Sequence, residues 1–303
     1  MVEGDGSAGG ARAGATRAGA TGTGTSGPPP KTNGWGNGRA AGEAVQFSAV
    51  LPGEPGGPTL SGFLARPNFS AASGAGRHGV VLSHGFPETW HNAGSPSYGY
   101  PQLATRLAAE TGAAVLTFDF RGTGGSQGDF SLAGWRADLA AAAQTLAGVP
   151  GIEKIWLVGF GAGGTLCICA AGEDPSIAGV AVFAAPAEFA EHGADTRRHA
   201  VQAKSSGVVP SRGYPPAPAE WARELKEVRP TRLVASIPPR PFLIVHGAND
   251  DIVPITDARE LADAANETAE LRILAGADHM LMHDPRAIAL LLGWFDRHFG
   301  AAT

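Results

Sequence analysis

Residues 154–164 read Lys-Ile-Trp-Leu-Val-Gly-Phe-Gly-Ala-Gly-Gly. The run Ile155–Gly159 is short, apolar and bounded by a lysine and a cluster of glycines, the pattern of a strand buried on both faces. Glycines at 159, 161, 163 and 164 then bring a tight turn, and Thr165–Ala171 carries the chain into an apolar helix. A glycine-rich turn between strand and helix also occurs where a dinucleotide phosphate is bound. Here the spacing is G-x-G-x-G-G, and Phe183-Ala184-Ala185-Pro186 stands where that fold needs an acidic residue. The stretch is therefore taken as a structural turn in an α/β protein, and its central residue, Gly161, becomes the position to explain.

Working outward, similar apolar runs recur at Gly79–Ser83, Ala113–Phe118, Val180–Phe183, Pro241–His246 and Leu271–Leu274. Helical periodicity lies between them. Leu103 and Leu107 follow Pro101; Leu132, Trp135, Leu139, Ala142 and Leu146 form a stripe with Ser131 as N-cap; Ile288, Leu291, Trp294, Phe295 and Phe299 form another after Pro285. Ahead of these, Ala44–Leu51 and Thr59–Ala65 alternate around Pro-Gly-Glu-Pro-Gly-Gly-Pro and predict an antiparallel hairpin. Strand–helix alternation predicts a mostly parallel sheet of eight strands, covered on both faces, with ligands at the carboxyl edge. Residues 188–237 break the rhythm with several Pro and Gly and a charged helical piece, Glu220–Val228, and are expected to form a small lid or insertion.

The 303 residues are 43% hydrophobic and 17% charged, as in ordinary soluble domains. Residues 1–42 form a Gly-rich, low-complexity arm with little apolar surface to offset the ordering of its backbone, and are expected to be disordered. The folded domain is expected over 43–303. A formal charge of -5, with no basic run interleaved with aromatics, argues against nucleic acid and anionic membranes as partners. No apolar run of transmembrane length and no signal-peptide core are present, so a cytoplasmic location is expected. Cys167 and Cys169 predict small core residues of the helix after Gly161. No clustered ligand spacing points to a metal or an organic cofactor; a small-molecule ligand or substrate is the expected partner.

Chemistry-bearing residues stand just after the expected strands. His84-Gly85-Phe86 follows Ser83, and Asp119-Phe120-Arg121-Gly122-Thr123-Gly124-Gly125-Ser126 follows Phe118. Gly247-Ala248-Asn249-Asp250-Asp251-Ile252-Val253-Pro254 follows His246, and Asp278-His279 follows the last strand. With the turn at Gly161, these segments resemble the α/β-hydrolase superfamily over about residues 43–300. They are most similar to bacterial esterase, dienelactone-hydrolase and serine-aminopeptidase-like members with small lids. The resemblance implies that fold, an acid at Asp250 (Asp251 being its less favoured neighbour), a base at His279, and an oxyanion hole of the Phe86 and Ala162 backbone N–H groups. It also places His84, Gly85 and Trp90 beside the ligand. Phe86, Trp90, Tyr98 and Tyr100 either line an aromatic mouth or merely pack near it.

The same resemblance implies a nucleophile, most often serine, at the centre of the G-x-S-x-G turn; this chain has Gly161 there. Ser83, Ser126, Thr165 and Cys167 are the nearby hydroxyls and thiol that could be asked to substitute. His84 and His246 read as structural strand-end groups, and Asp119 and Arg121 as braces of their loop. Two functions follow from a site with a vacant nucleophile position. One is a binding or regulatory protein without serine-hydrolase turnover. The other is an enzyme in which His279 activates a water or a bound substrate without an acyl-enzyme.

Overall fold

The computed structural model describes residues 40–50, 56–68, 78–86, 99–189, 218–266 and 268–300, with the side chains of 218–222 excepted. Among these, eight strands form one sheet in the order β1-β2-β4-β3-β5-β6-β7-β8. The strands are β1 Ala40–Ser48, β2 Thr59–Pro67, β3 His78–Ser83, β4 Ala114–Phe118, β5 Lys154–Phe160, β6 Ile177–Phe183, β7 Phe242–Gly247 and β8 Glu270–Leu274. β1 pairs antiparallel with β2, and β2 with β4; every later pairing is parallel. The expected fold is the observed one. The domain begins earlier than expected, because Ala40, Ala41 and Gly42 pair with Pro67, Arg66 and Ala65 and so belong to β1. The rest of the arm, residues 1–39, lies outside the described residues.

The connecting helices are α1 Tyr100–Thr111, α2 Leu132–Ala147, α3 Ala162–Glu173, α4 Pro218–Glu227, α5 Pro230–Leu233, α6 Ile255–Ala264 and α7 Pro285–Phe299. Ser131 does cap α2, its side chain accepting from the Gly134 N–H. Strand pleating sorts the core into two layers. On one face Val81, Leu157, Val180, Val182 and Ile244 pack under α2, α3 and α6; on the other Val80, Leu82, Trp156, Val158 and Val245 pack under α1 and α7. Leu291, Trp294 and Phe295 of α7 are fully buried there, each contributing on the order of 2 kcal/mol of transfer free energy.

Of the segment expected as a lid, residues 190–217 lie outside the described residues. The part after it is bound to the body of the domain. Leu225 and Val228 enter the core, and the Glu224 carboxylate accepts the Leu132 N–H at 2.9 Å, placing negative charge on the amino end of α2.

Candidate functional site

The turn after β5 is built by glycines doing different jobs. A Cβ on Gly159 would lie 2.5 Å from the Gly163 carbonyl oxygen and the Gly164 nitrogen, so strand end and helix start approach as only glycine allows. Gly161 has φ +52° and ψ −128°, a region side chains rarely adopt, and it immediately precedes α3. Its N–H donates to the Phe183 carbonyl at 2.8 Å, and its own carbonyl accepts from Gly164 and Thr165 N–H groups, pinning the apex between β6 and the helix.

Two further strand ends converge on that apex. The loops after β7 and β8 are joined by Ala248 N–H to the Leu274 carbonyl (2.9 Å) and Asn249 N–H to the Ala277 carbonyl (2.8 Å). Their approach is so close that a Cβ on Gly247 would meet the Ala277 and Asp278 carbonyl oxygens at 2.5 Å. This pairing brings Asp250 to His279, with Nδ1 and Oδ2 2.8 Å apart. The other carboxylate oxygen of Asp250 accepts N–H groups from Ile252 (2.9 Å) and Val253 (2.8 Å). Burial pushes the Asp250 carboxyl up, but these hydrogen bonds, with the His279 partner foremost, outweigh it and hold the group below the usual carboxylate value. The Asp250 side chain is fully shielded from solvent, whereas that of His279 is 18% exposed.

With Nδ1 committed, His279 turns Nε2 toward the glycine. A Cβ built on Gly161 would lie 3.5 Å from that nitrogen and 3.6 Å from the Gly85 Cα, both ordinary contacts. The position is thus open, and it faces an imidazole held by a carboxylate. Gly85 stands against the same turn; its own Cβ would lie 3.6 Å from the Ala162 nitrogen. Among the described residues, no backbone carbonyl engages the N–H of Phe86 or Ala162. The geometry leaves Nε2 of His279 facing the open position beside Gly161, where an imidazole nitrogen can exchange a proton with a bound polar atom.

The hydroxyls and thiol considered as substitutes are occupied elsewhere. Ser83 Oγ donates to the Val158 and Gly163 carbonyls and meets Cys167 Sγ at 3.2 Å. Ser126 Oγ donates to the Asp119 carbonyl, and Thr165 Oγ1 to the Pro186 carbonyl. Burial pushes the Cys167 thiol up to about 12, so it is not a thiolate.

His84 does not open onto the apex. It is 1% exposed, its Nδ1–H donates to the Gly85 carbonyl at 2.6 Å, and Nε2 accepts the Phe120 N–H at 3.2 Å. Both ring nitrogens are spent inside the protein, and burial lowers the group to about 4. Its place is to fix the carbonyl of the glycine that abuts the turn. Trp90 and Tyr98 lie outside the described residues. Tyr100 is buried, its ring edge-on to Phe160 with centroids 5.8 Å apart. Phe86 is 40% exposed and rests on Trp135 (centroids 5.0 Å) and Phe130 (5.3 Å).

Asp119 and Arg121 brace their loop. Asp119 Oδ2 accepts the Gly125 N–H, and Arg121 forms a buried pair with Asp138, whose carboxylate takes its backbone N–H, Nε and a terminal nitrogen at 2.8–2.9 Å. Asp251 contributes no contact to the pair. The contribution that spacing did not reveal is His246, fully buried beneath Asp250. Its Nε2 lies 2.9 Å from the Val253 carbonyl and 3.4 Å from Asp250 Oδ2, while Nδ1 has no hydrogen-bond partner among the described residues. The only sequence signal for it is a polar residue at an inward strand end four positions before the acid. Among the described residues no His/Cys/Asp/Glu group could hold a metal, and no helix is long and apolar enough to cross a membrane.

Comparison with known proteins agrees with this architecture. An uncharacterised protein of Mycobacterium tuberculosis is 29% identical over 257 residues, covering 82% of this chain and 79% of its own. The esterase domain of a Rhodothermus marinus protein superposes with a TM-score of 0.59 at 26% identity, over 86% of this chain and all of its own. An esterase of Pyrococcus furiosus shares the fold, with a TM-score of 0.60 at 18% identity over 85% and 93% of the two chains. Residues 80–289 match the model of the alpha/beta hydrolase family, and the chain belongs to that family.

Proposed function

We propose that this protein binds a small molecule at the Gly161–His279 site and does not turn over esters through an acyl-enzyme. The observation that carries this reading is the absence of a side chain at Gly161, at the position to which His279 presents Nε2. The nearby hydroxyls of Ser83, Ser126 and Thr165 are bonded to main-chain carbonyls, which supports leaving them out of the chemistry. In a well-studied protease, loss of the triad serine lowers kcat by about 10⁶. The test is intact-mass spectrometry after exposure to a fluorophosphonate and to an activated aryl ester. The expected result is an unmodified chain and ester hydrolysis at the buffer rate; a covalent adduct on any residue overturns the proposal.

A second reading rests on a different aspect of the same geometry. The open position beside Nε2 suits a water molecule, which His279 deprotonates while the Phe86 and Ala162 N–H groups receive the developing oxyanion. Catalysis of about 10³–10⁴ over water survives removal of a triad member elsewhere. Hydrolysis above background that disappears in His279→Ala, without any covalent adduct, would favour this reading over the first.

A further inference from the structure

The space beside Gly161 has a defined chemistry. One wall is the Nε2 edge of an imidazole whose other nitrogen is held 2.8 Å from a carboxylate, which fixes the orientation of the ring. Another is the main chain at Gly85, whose Cα a Cβ on Gly161 would meet at an ordinary 3.6 Å. A ligand with two anionic oxygens can give one to the ring N–H and the other to a main-chain N–H. A neutral amide carries no charge, so against a protonated ring its single oxygen makes only the weaker, uncharged pairing.

Exposed apolar side chains stand on the loops that carry this polar point. Five large hydrophobic side chains are exposed among the described residues, and three of them sit on the loops that frame it. Phe86 (40% exposed) is next to Gly85, Ile252 (53%) is two residues past Asp250, and Met280 (37%) follows His279. Each stands at the carboxyl edge of the sheet, after β3, β7 and β8 respectively. Exposed apolar groups at the same sheet edge as a few polar groups suit a molecule with a greasy body and a polar head.

We infer that the site is a receptor for a small carboxylic acid with an apolar or aryl tail, its carboxylate occupying the space left by Gly161 against His279 and its tail covered by Phe86, Ile252 and Met280. This rests on the non-hydrolytic binding reading above and specifies its ligand. Head and tail make separable contributions: His279 and Gly161 decide the preference for acid over neutral analogue, and Phe86 sets affinity for both alike.

The test is isothermal titration calorimetry of the full chain with phenylacetate and with phenylacetamide, at one mildly acidic pH. Phenylacetate is expected to bind about tenfold tighter or more, the range of a hydrogen bond to a charged group. The ratio should fall to near one in His279→Gln. It should fall likewise in Gly161→Ala, which places a methyl where the carboxylate would lie and leaves the imidazole in place. Phe86→Ser should weaken both ligands and leave the ratio unchanged. Equal affinities in the unsubstituted protein, a ratio that survives both His279→Gln and Gly161→Ala, or no binding of the acid at millimolar concentration would each overturn the inference. Tight binding of the amide alone would reject the carboxylate and leave the binding function standing. His279-dependent hydrolysis of methyl phenylacetate would reject the binding function, with the acid-to-amide ratio still deciding this one.

Discussion

Gly161→Ser tests whether the hydroxyl is the sole missing part. A serine Cβ would lie 3.5 Å from His279 Nε2, with Gly85 Cα at 3.6 Å as its next neighbour, so the side chain enters without displacing anything. A hydroxyl on that carbon, rotated toward the ring, comes within hydrogen-bond reach of a nitrogen whose partner nitrogen is already fixed on Asp250. The backbone must bear the substitution at φ +52°, which costs a residue other than glycine about 1–3 kcal/mol. In a domain approaching this size each kcal/mol lowers Tm by about 2–4 °C, so the variant should melt several degrees lower yet remain folded. Because the triad serine accounts for about 10⁶ in kcat elsewhere, even imperfect alignment should raise aryl-ester hydrolysis by about 10²-fold or more. Stoichiometric fluorophosphonate labelling should appear with it, and both gains should vanish in Gly161→Ser/His279→Ala. A folded Gly161→Ser protein, confirmed by circular dichroism, that neither labels nor hydrolyses would refute the reasoning. The backbone donors or the imidazole would then be misplaced for acyl transfer.

Other consequences are open to measurement. His84 is lowered to about 4 by burial, so between the ordinary imidazole value of 6.5 and about 4 the unfolded chain takes up a proton that the folded chain refuses. Stability should therefore fall as pH drops through that window, by about 3 kcal/mol, and His84→Gln should flatten this arm of a Tm–pH curve; an unchanged slope would contradict the assignment. Asp138→Ala leaves the buried Arg121 guanidinium unpaired and should lower stability by about 3–5 kcal/mol in urea titration, with the double variant Arg121→Leu/Asp138→Leu recovering part of the loss. A single-variant loss under about 1 kcal/mol would count against the brace. Gly163→Ala would drive a Cβ to 2.3 Å from the His84 carbonyl oxygen and should be far more damaging than Gly161→Ala, which meets no such contact. Comparable melting temperatures for the two would refute the close approach of α3 to the β3 loop.

The strands were legible because parallel strands covered on both faces are short and continuously apolar, as Val80, Val81 and Leu82 or Leu157 and Val158 are, with glycines bounding the runs. The segments bearing Asp250 and His279 could be placed at one sheet edge because each directly follows such a strand, while the roles of acid and base came only from the resemblance to the α/β hydrolases. What stayed hidden depends on contacts with no local period. Glu224 on the N-terminus of α2 joins residues 92 apart in the chain, and the position of His246 under Asp250 depends on how the loop after β7 folds back. The start of β1 was missed for a different cause. Ala40-Ala41-Gly42 has the composition of the arm and is made a strand only by its partners in β2. His84 shows the opposite limit, since its place in the sequence is correct while its burial, which decides its chemistry, is a tertiary property.

At the far end of the helix that starts beside Gly161, Arg240 reaches from the residue before the β7 approach and gathers main-chain oxygens. Its guanidinium donates to the carbonyls of Ala171, Asp174, Ile177, Ser236 and Ile237 at 2.7–3.0 Å. A cation at that end also complements the helix dipole. The rod is thereby fastened at its tail, while the Gly161 bonds to β6 fasten its head, so it is not free to slide along its axis. The mould that would cradle a reacting group is held by anchors remote from that group, and it keeps its shape whether or not anything is cast in it.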